Sequence, residues 1–250
     1  MDSQRCHLKY ENSIMFDLKW LGLRWSEKPV RQSERMEIYR ATLVKLFKMD
    51  ILYKCECTRQ EIATALRQKL SRKDKRLPQS LIYPGTCKQK RILHNQYSLR
   101  LDMKKAIQLI DPKCLFFFNK EDLDERFKKI IVNPELLETK VGDVILARRD
   151  IGASYHIAVV IDDHMQRITH VTRGQDLFRE TFLHVLLQNL FQFSTPSYFH
   201  HKILMNEEGN KLSKSNKSKS IEILRKTGIS QDEIYRLAGL NRSLIKYVLN

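Results

Sequence analysis

The sequence predicts an α/β fold built on parallel strands, and three observations carry that prediction. The chain has 250 residues, 42% of them hydrophobic, enough to bury a core without disulfides. From Gly142 onward the short apolar runs DVILARR, ITHVTR and FHHKILM read as buried strands. Between the last two lies an amphipathic stretch, TFLHVLLQNLFQ. Strands alternating with helices are the pattern of parallel sheets joined by crossovers.

Taken in order, the chain opens with a helix whose Ile14, Leu18 and Leu21 recur at helical spacing, with Phe16 and Trp20 widening the stripe. Gly22 interrupts it in WLGLRW. After Pro29 a second helix runs through ERMEIYRATLVKLFKMD, with Ile38, Leu43, Leu46 and Phe47 on one face. ILYKCECTR follows as a strand-like piece, then a basic helix, EIATALRQKLSRKDKR, ending near Pro78. Between Ser98 and Val132 the best strands are CLFFF and KKIIV. YHIAVVIDDH is β-branched enough to read as a strand by propensity. EEGNKLSKSNKSKS is polar and basic and predicts a mobile loop. SIEILRKTG and SQDEIYRLAG predict two short helices, capped by Ser220 and Ser230 and stopped by Gly228 and Gly239.

Charge narrows the function classes. Lys+Arg 45 against Asp+Glu 29 leaves +16, which predicts a polyanionic partner, because basic side chains displace counterions from a phosphate backbone. No run approaches the roughly 18 apolar residues of a membrane span. No secretory core opens the chain and no lipidation motif stands in it. A cytoplasmic setting without a membrane partner is therefore expected, with the five cysteines reduced or metal-bound.

Three constellations carry chemistry. Cys55-Glu56-Cys57 places two sulfurs within reach of one ion, and Cys87 follows a YPG turn. Zinc takes thiolates tetrahedrally; the fourth ligand is open between Tyr83, His94 and a water, and three unrelated buried thiols are the competing reading. Lys211-Leu212-Ser213-Lys214-Ser215 sets two lysines three apart on a Gly-preceded loop, which suits a triphosphate. A solvated basic loop has the same composition. Arg173 follows the strand ITHVT, and ligands bind at the carboxyl ends of parallel strands, where an arginine takes a carboxylate bidentately. An ordinary Arg–Asp turn is the alternative. Asp162-Asp163 reads as structural pairing rather than as a magnesium site.

In order along the chain, WLGLRW, RQSER with Tyr39, YKCECTR, YPGTC, GDVILARRD, SYHIAVVIDD, ITHVTRGQDL and GNKLSKS resemble the class I glutamyl-type aminoacyl-tRNA synthetases. The likeness runs from about Ile14 to about Leu224. It implies a Rossmann-like class I catalytic fold with an inserted zinc-bearing subdomain. Within the family the chain is most similar to the branch that glutamylates queuosine in the tRNA(Asp) anticodon. Gln89 stands where the ordinary bacterial enzyme tends to have a histidine, and the chain stops soon after KLSKS. The resemblance implies Cys55, Cys57, Tyr83 and Cys87 as ligands of a structural zinc. It implies Tyr155 and Arg173 for glutamate, and Lys211, Ser213 and Lys214 for ATP, with the two lysines as catalytic groups. It turns YHIAVVIDD into a helix. ATP with Mg2+, glutamate and tRNA, tRNA(Asp) foremost, are the implied substrates, and a monomer the implied state. The implied ligase reaction makes glutamyl-adenylate and pyrophosphate, then passes the acyl group to the cyclopentene ring of queuosine.

One departure bears on activity. The family's opening strand and H-I-G-H-like motif are not in this sequence; Cys6-His7-Leu8 has neither a following glycine nor a preceding strand. The fold is expected to be incomplete at its N-terminus and the reaction impaired. The expected divisions are 1–50 as a remnant of the first half of the nucleotide-binding domain, 51–140 as the inserted acceptor-binding subdomain, 141–205 as the second half, and 206–250 as the KLSKS loop and terminal helices. A truncated ordinary glutamyl-tRNA synthetase and a non-catalytic tRNA-binding remnant are the alternatives.

Overall fold

The computed structural model describes residues 6–69, 82–122, 125–150, 152–206, 208–212 and 219–240. The chain divides into two compact units, one of Met1–Ser33 with Ile203–Asn250, the other of Glu34–Lys202. In chain order the helices and strands begin with α1 (Leu8–Trp20), α2 (Met36–Lys48), β1 (Leu52–Cys55), α3 (Arg59–Lys69), β2 (Ser98–Leu101), α4 (Met103–Gln108), β3 (Phe116–Lys120) and β4 (Lys128–Ile131). They continue with the short α5 (Pro134–Leu136), β5 (Ile145–Ala147), α6 (Tyr155–Met165), β6 (His170–Gly174), α7 (Phe178–Leu190), β7 (Ser197–His201), α8 (Ile221–Lys226) and α9 (Gln231–Leu237).

The larger unit holds two sheets. In the four-stranded one, β6 and β7 are parallel, with α7 as their crossover, and β3 joins β7 in parallel while β4 pairs antiparallel on its outer edge. β3 is drawn from the middle of the chain, so this sheet assembles strands about 80 residues apart (Asn119 opposite Tyr198). Its core face carries Phe117, fully buried, with the Tyr198 ring edge-on at 5.4 Å. Phe178 and Phe182 of α7 set their rings 5.9 and 6.1 Å from Phe117, and α6 (Ile157, Ala158, Ile161) and α7 (Leu183, Leu186, Leu187) bury apolar faces.

The second sheet corrects the parallel expectation for DVILARR. β5 pairs antiparallel with β2, which pairs antiparallel with β1. A short apolar run marks burial, but strand direction is set by the connection, which the run does not encode. YHIAVVIDDH is a helix, as the resemblance implies and against its β propensity. Ser154 caps it, its Oγ accepting from the Ile157 amide at 3.4 Å, and tertiary burial of one helical face overrides the propensity of its branched residues.

Two helical faces also differ from the pattern. On α2 the buried residues are Tyr39, Leu43 and Leu46, while Ile38 and Phe47 are exposed. The face is rotated because the Tyr39 hydroxyl donates to both carboxylate oxygens of buried Asp162, at 2.9 and 2.8 Å. Arg35 Nε completes the pair at 3.2 Å from Asp162, the structural role expected for that aspartate. In the smaller unit, α1 forms as expected, yet Ile14 and Phe16 remain exposed. There Asp17 pairs with Arg225 at 3.4 Å, and Ser13 donates to Glu222 at 3.2 Å. α8 and α9 carry the expected N-caps, Ser220 and Ser230.

Candidate active site and metal centre

β1 ends on Cys55, and the turn after it delivers Cys57 two residues later. α3 is then fixed by a capping box: Thr58 Oγ1 accepts from the Glu61 amide at 3.2 Å, and Glu61 Oε2 accepts from the Thr58 amide at 2.7 Å. Tyr83 and Cys87 arrive from a separate stretch. The three sulfurs lie within 4.8 Å of one another. Cys57 and Cys87 Sγ are 3.3 Å apart, and the Tyr83 hydroxyl sits 3.4 Å from both Cys55 and Cys57 Sγ. The Cys87 amide donates to that hydroxyl at 2.8 Å. Ile92 closes the cluster on its apolar side. His94, the other candidate ligand, turns away to Glu56 at 2.9 Å on the surface. Cys6 and Cys114 are exposed and outside the group.

The cluster holds its protons unevenly. Burial pushes the Cys57 thiol up to about 11. Burial also raises Cys87, but hydrogen bonds from Tyr83 and the backbone outweigh it and hold that thiol below its ordinary value. Tyr83 is pushed far up, by burial first and by the three cysteines next. The Arg100 guanidinium lies 3.8 Å from the centre of the Tyr83 ring and fixes its plane. Three soft sulfurs and a phenol oxygen converging on one point form a donor set of the kind that suits a single tetrahedral zinc.

The second cluster sits at the carboxyl end of β6. Arg173 donates from Nη2 to Thr181 Oγ1 at 2.6 Å, from Nη1 to His184 Nδ1 at 3.2 Å, and from Nε to His200 Nε2 at 3.4 Å. α7 supplies Thr181 and His184, and β7 supplies His200. His184 Nε2 is 3.1 Å from His156 Nδ1 on α6, and His200 Nδ1 is 2.6 Å from Asn119 Oδ1 on β3. Tyr155 opens α6, partly exposed, with its ring centre 5.8 Å from that of His184. Burial, and then the Arg173 charge, hold His156 and His200 at about 4 and push His184 well below its usual range. All three rings are therefore neutral. Among the described residues, no carboxylate lies within ion-pair distance of Arg173.

Tyr155 and Arg173 are thus joined through His184, and Cys55, Cys57, Tyr83 and Cys87 are brought together directly. Lys211 lies in the smaller unit, on an antiparallel bridge to Met205 closed by a turn at Gly209 (φ +76°). Ser213 and Lys214 lie outside the described residues. The residues that sequence reasoning missed are Thr181, His200 and Asn119. His156 and His184 stood out in the sequence only as departures from the family pattern, histidines where Asn and Gln are usual.

The chain matches the family model for the catalytic domain of class I tRNA synthetases (E and Q) over residues 1–242. It is similar to the glutamyl-Q tRNA(Asp) synthetase of Rhodobacter capsulatus, 34% identical over 241 residues that cover 96% of this chain and 85% of that protein. It is 30% identical to the glutamate–tRNA ligase of Coprothermobacter proteolyticus, over 96% of this chain and 49% of the ligase, so it spans about half that length. Among solved structures, the glutamate-tRNA synthetase of Elizabethkingia anophelis superposes with a TM-score of 0.61 at 26% identity, covering 86% of this chain and 44% of that one.

Proposed function

This chain belongs to the class I tRNA synthetases (E and Q), a family of aminoacyl-tRNA synthetase-type ligases, and we propose that it serves the activation of glutamate by ATP and its transfer to queuosine in tRNA(Asp). The observation that carries the glutamate reading is Arg173, a half-buried guanidinium at a strand's carboxyl end whose partners are all neutral. An uncompensated cation in that position is built for a carboxylate. Tyr155, whose ring meets that of His184, shapes the amino-acid pocket. The acceptor reading is supported by similarity: over 241 residues the chain is 34% identical to a glutamyl-Q tRNA(Asp) synthetase, against 30% to a glutamate–tRNA ligase.

In this reading Lys211, Ser213 and Lys214 meet the ATP phosphates, with Mg2+ on the nucleotide, and the two lysine charges stabilise the pyrophosphate as it leaves. The carboxylate attacks the α-phosphorus, so no covalent enzyme intermediate is needed, and catalysis rests on positioning and phosphate electrostatics. Residues 51–140 carry the acceptor-binding element, and zinc on Cys55, Cys57, Tyr83 and Cys87 is structural, tying β1 to the 82–92 stretch.

Calorimetric titration with L-glutamate, followed by binding of queuosine-containing and queuosine-lacking tRNA(Asp), tests the reading. Expected are glutamate binding that Arg173→Leu abolishes and a preference for the queuosine-containing tRNA. A folded chain that ignores glutamate sinks the substrate assignment. Equal binding of both tRNAs sinks the acceptor.

A further inference from the structure

The partners of Arg173 are unusual in being uncharged. We propose that His184, Thr181 and His200 are positioning residues, which aim the Arg173 guanidinium while leaving its charge unspent for a bound carboxylate; this rests on the glutamate reading above. A guanidinium has five N–H donors and no acceptor. Three are taken: Nε by His200, one on Nη1 by His184, and one on Nη2 by Thr181, at 3.4, 3.2 and 2.6 Å. Among the described residues nothing takes the other two N–H groups, one on each terminal nitrogen, the number a carboxylate accepts as a fork.

Because arginine can only donate, the protons of the surrounding network are determined. His184 Nδ1 accepts, so its proton is on Nε2 and is donated to His156 Nδ1 at 3.1 Å. His156 therefore carries its proton on Nε2. His200 Nε2 accepts from Arg173, and also faces Thr181 Oγ1 at 3.0 Å, so its Nδ1 proton goes to Asn119 Oδ1 at 2.6 Å. The chain of bonds ends on a neutral amide, with no carboxylate in it. Asp163 on α6 feels the Arg173 charge, which opposes the rise to about 6 that burial gives it, but among the described residues it makes no ion pair with the arginine. The groups in direct hydrogen-bond contact with the guanidinium thus offer acceptors without a full negative charge: β7 a ring nitrogen, α7 a hydroxyl and a ring nitrogen. A carboxylate at any of these places would hold the arginine as firmly but would compete with the ligand.

Three substitutions at one position separate charge from shape. The Oδ1 of asparagine falls close to the place of the His184 Nδ1, so His184→Asn keeps the acceptor, and glutamate affinity is expected to stay within about threefold of the parent. His184→Asp has the same shape and adds a charge that pairs with Arg173; affinity should fall at least about thirtyfold. His184→Leu removes the acceptor, and losing one hydrogen bond to a charged group predicts about a tenfold loss. Circular dichroism establishes that each variant is folded. If the Asn and Asp variants bind glutamate equally, or the Leu variant binds like the parent, the proposal is overturned. If the folded parent itself does not bind glutamate, the substrate reading fails and the positioning network is decided by long-range 1H–15N spectra of the histidines at pH 7. Neutral rings with protons on Nε2 of His184 and His156 and on Nδ1 of His200 uphold it; a charged ring or the opposite tautomer at His184 or His200 refutes it.

Discussion

Lowering the pH from 8 to 5 is expected to destabilise the larger unit by about 3 kcal/mol, well before most carboxylates titrate. Burial first, and the Arg173 charge second, hold His156 and His200 at about 4 against an ordinary 6.5. The unfolded chain then takes protons more readily than the folded one. The stability these rings contribute is complete above pH 6.5, and is lost as the pH falls from there through about 4. By pH 5 each of the two has lost about 2 kcal/mol. Asp163 acts with the opposite sign. Burial raises its carboxyl from 3.8 to about 6, so the folded state takes up that proton first and recovers about 1 kcal/mol over the same interval. His184 is shifted in the same direction as the other histidines and adds to the loss. A change of this size is a large fraction of the roughly 5–15 kcal/mol by which domains are stable. Urea unfolding followed by far-UV circular dichroism at pH 8, 6.5 and 5 measures it. His200→Gln keeps an acceptor near Nε2 but cannot titrate, so its pH-dependent loss should be smaller by about 2 kcal/mol. A stability constant to within about 0.5 kcal/mol between pH 8 and 5, or one that rises on acidification, would refute the reasoning, because it requires neutral histidines around Arg173.

Other predictions concern different parts of the molecule. The purified chain should bind about one zinc; Cys55→Ser and Cys87→Ser should release it, whereas Cys6→Ser and Cys114→Ser should not, as read by metal analysis. Phe117→Ala removes a fully buried ring that packs edge-on to Tyr198 at 5.4 Å, and should cost about 3–5 kcal/mol in urea unfolding. Gly142→Ala places a Cβ 2.6 Å from Ile82 Cγ2 at a φ of +68°, and should destabilise by more than about 1 kcal/mol in the same assay. With a net charge of +16, tRNA binding should weaken steeply with salt in filter-binding titrations, and an affinity that barely changes would exclude a phosphate-dominated interface.

Local chemistry was enough to read much of this protein from its sequence. The caps at Ser220 and Ser230 depend on side chains a few residues from the amides they serve, and both stand where the sequence puts them. The order of short motifs identified the family, and the C-x-C pair with Tyr83 and Cys87 marked residues that do converge. Composition alone left Tyr83 and His94 equal as ligands; the resemblance favoured Tyr83, and the fold separates them, because His94 is drawn to Glu56 on the surface. Arg173 could be singled out because an arginine at a strand's end is a sequence feature, though only the resemblance, not the spacing, turned it toward glutamate. Its partners could not, since Thr181, His184, His200 and Asn119 come from α7, β7 and β3, and their meaning exists only once these elements pack together. Likewise the run DVILARR announces burial, yet its antiparallel pairing with β2 depends on a partner more than 40 residues away. Periodicity and caps act over one or two turns of chain. Strand direction, the rotation of α2 toward Asp162 and the neutral shell around Arg173 are set by contacts between segments distant in sequence, and only the packed core decides which of those contacts form.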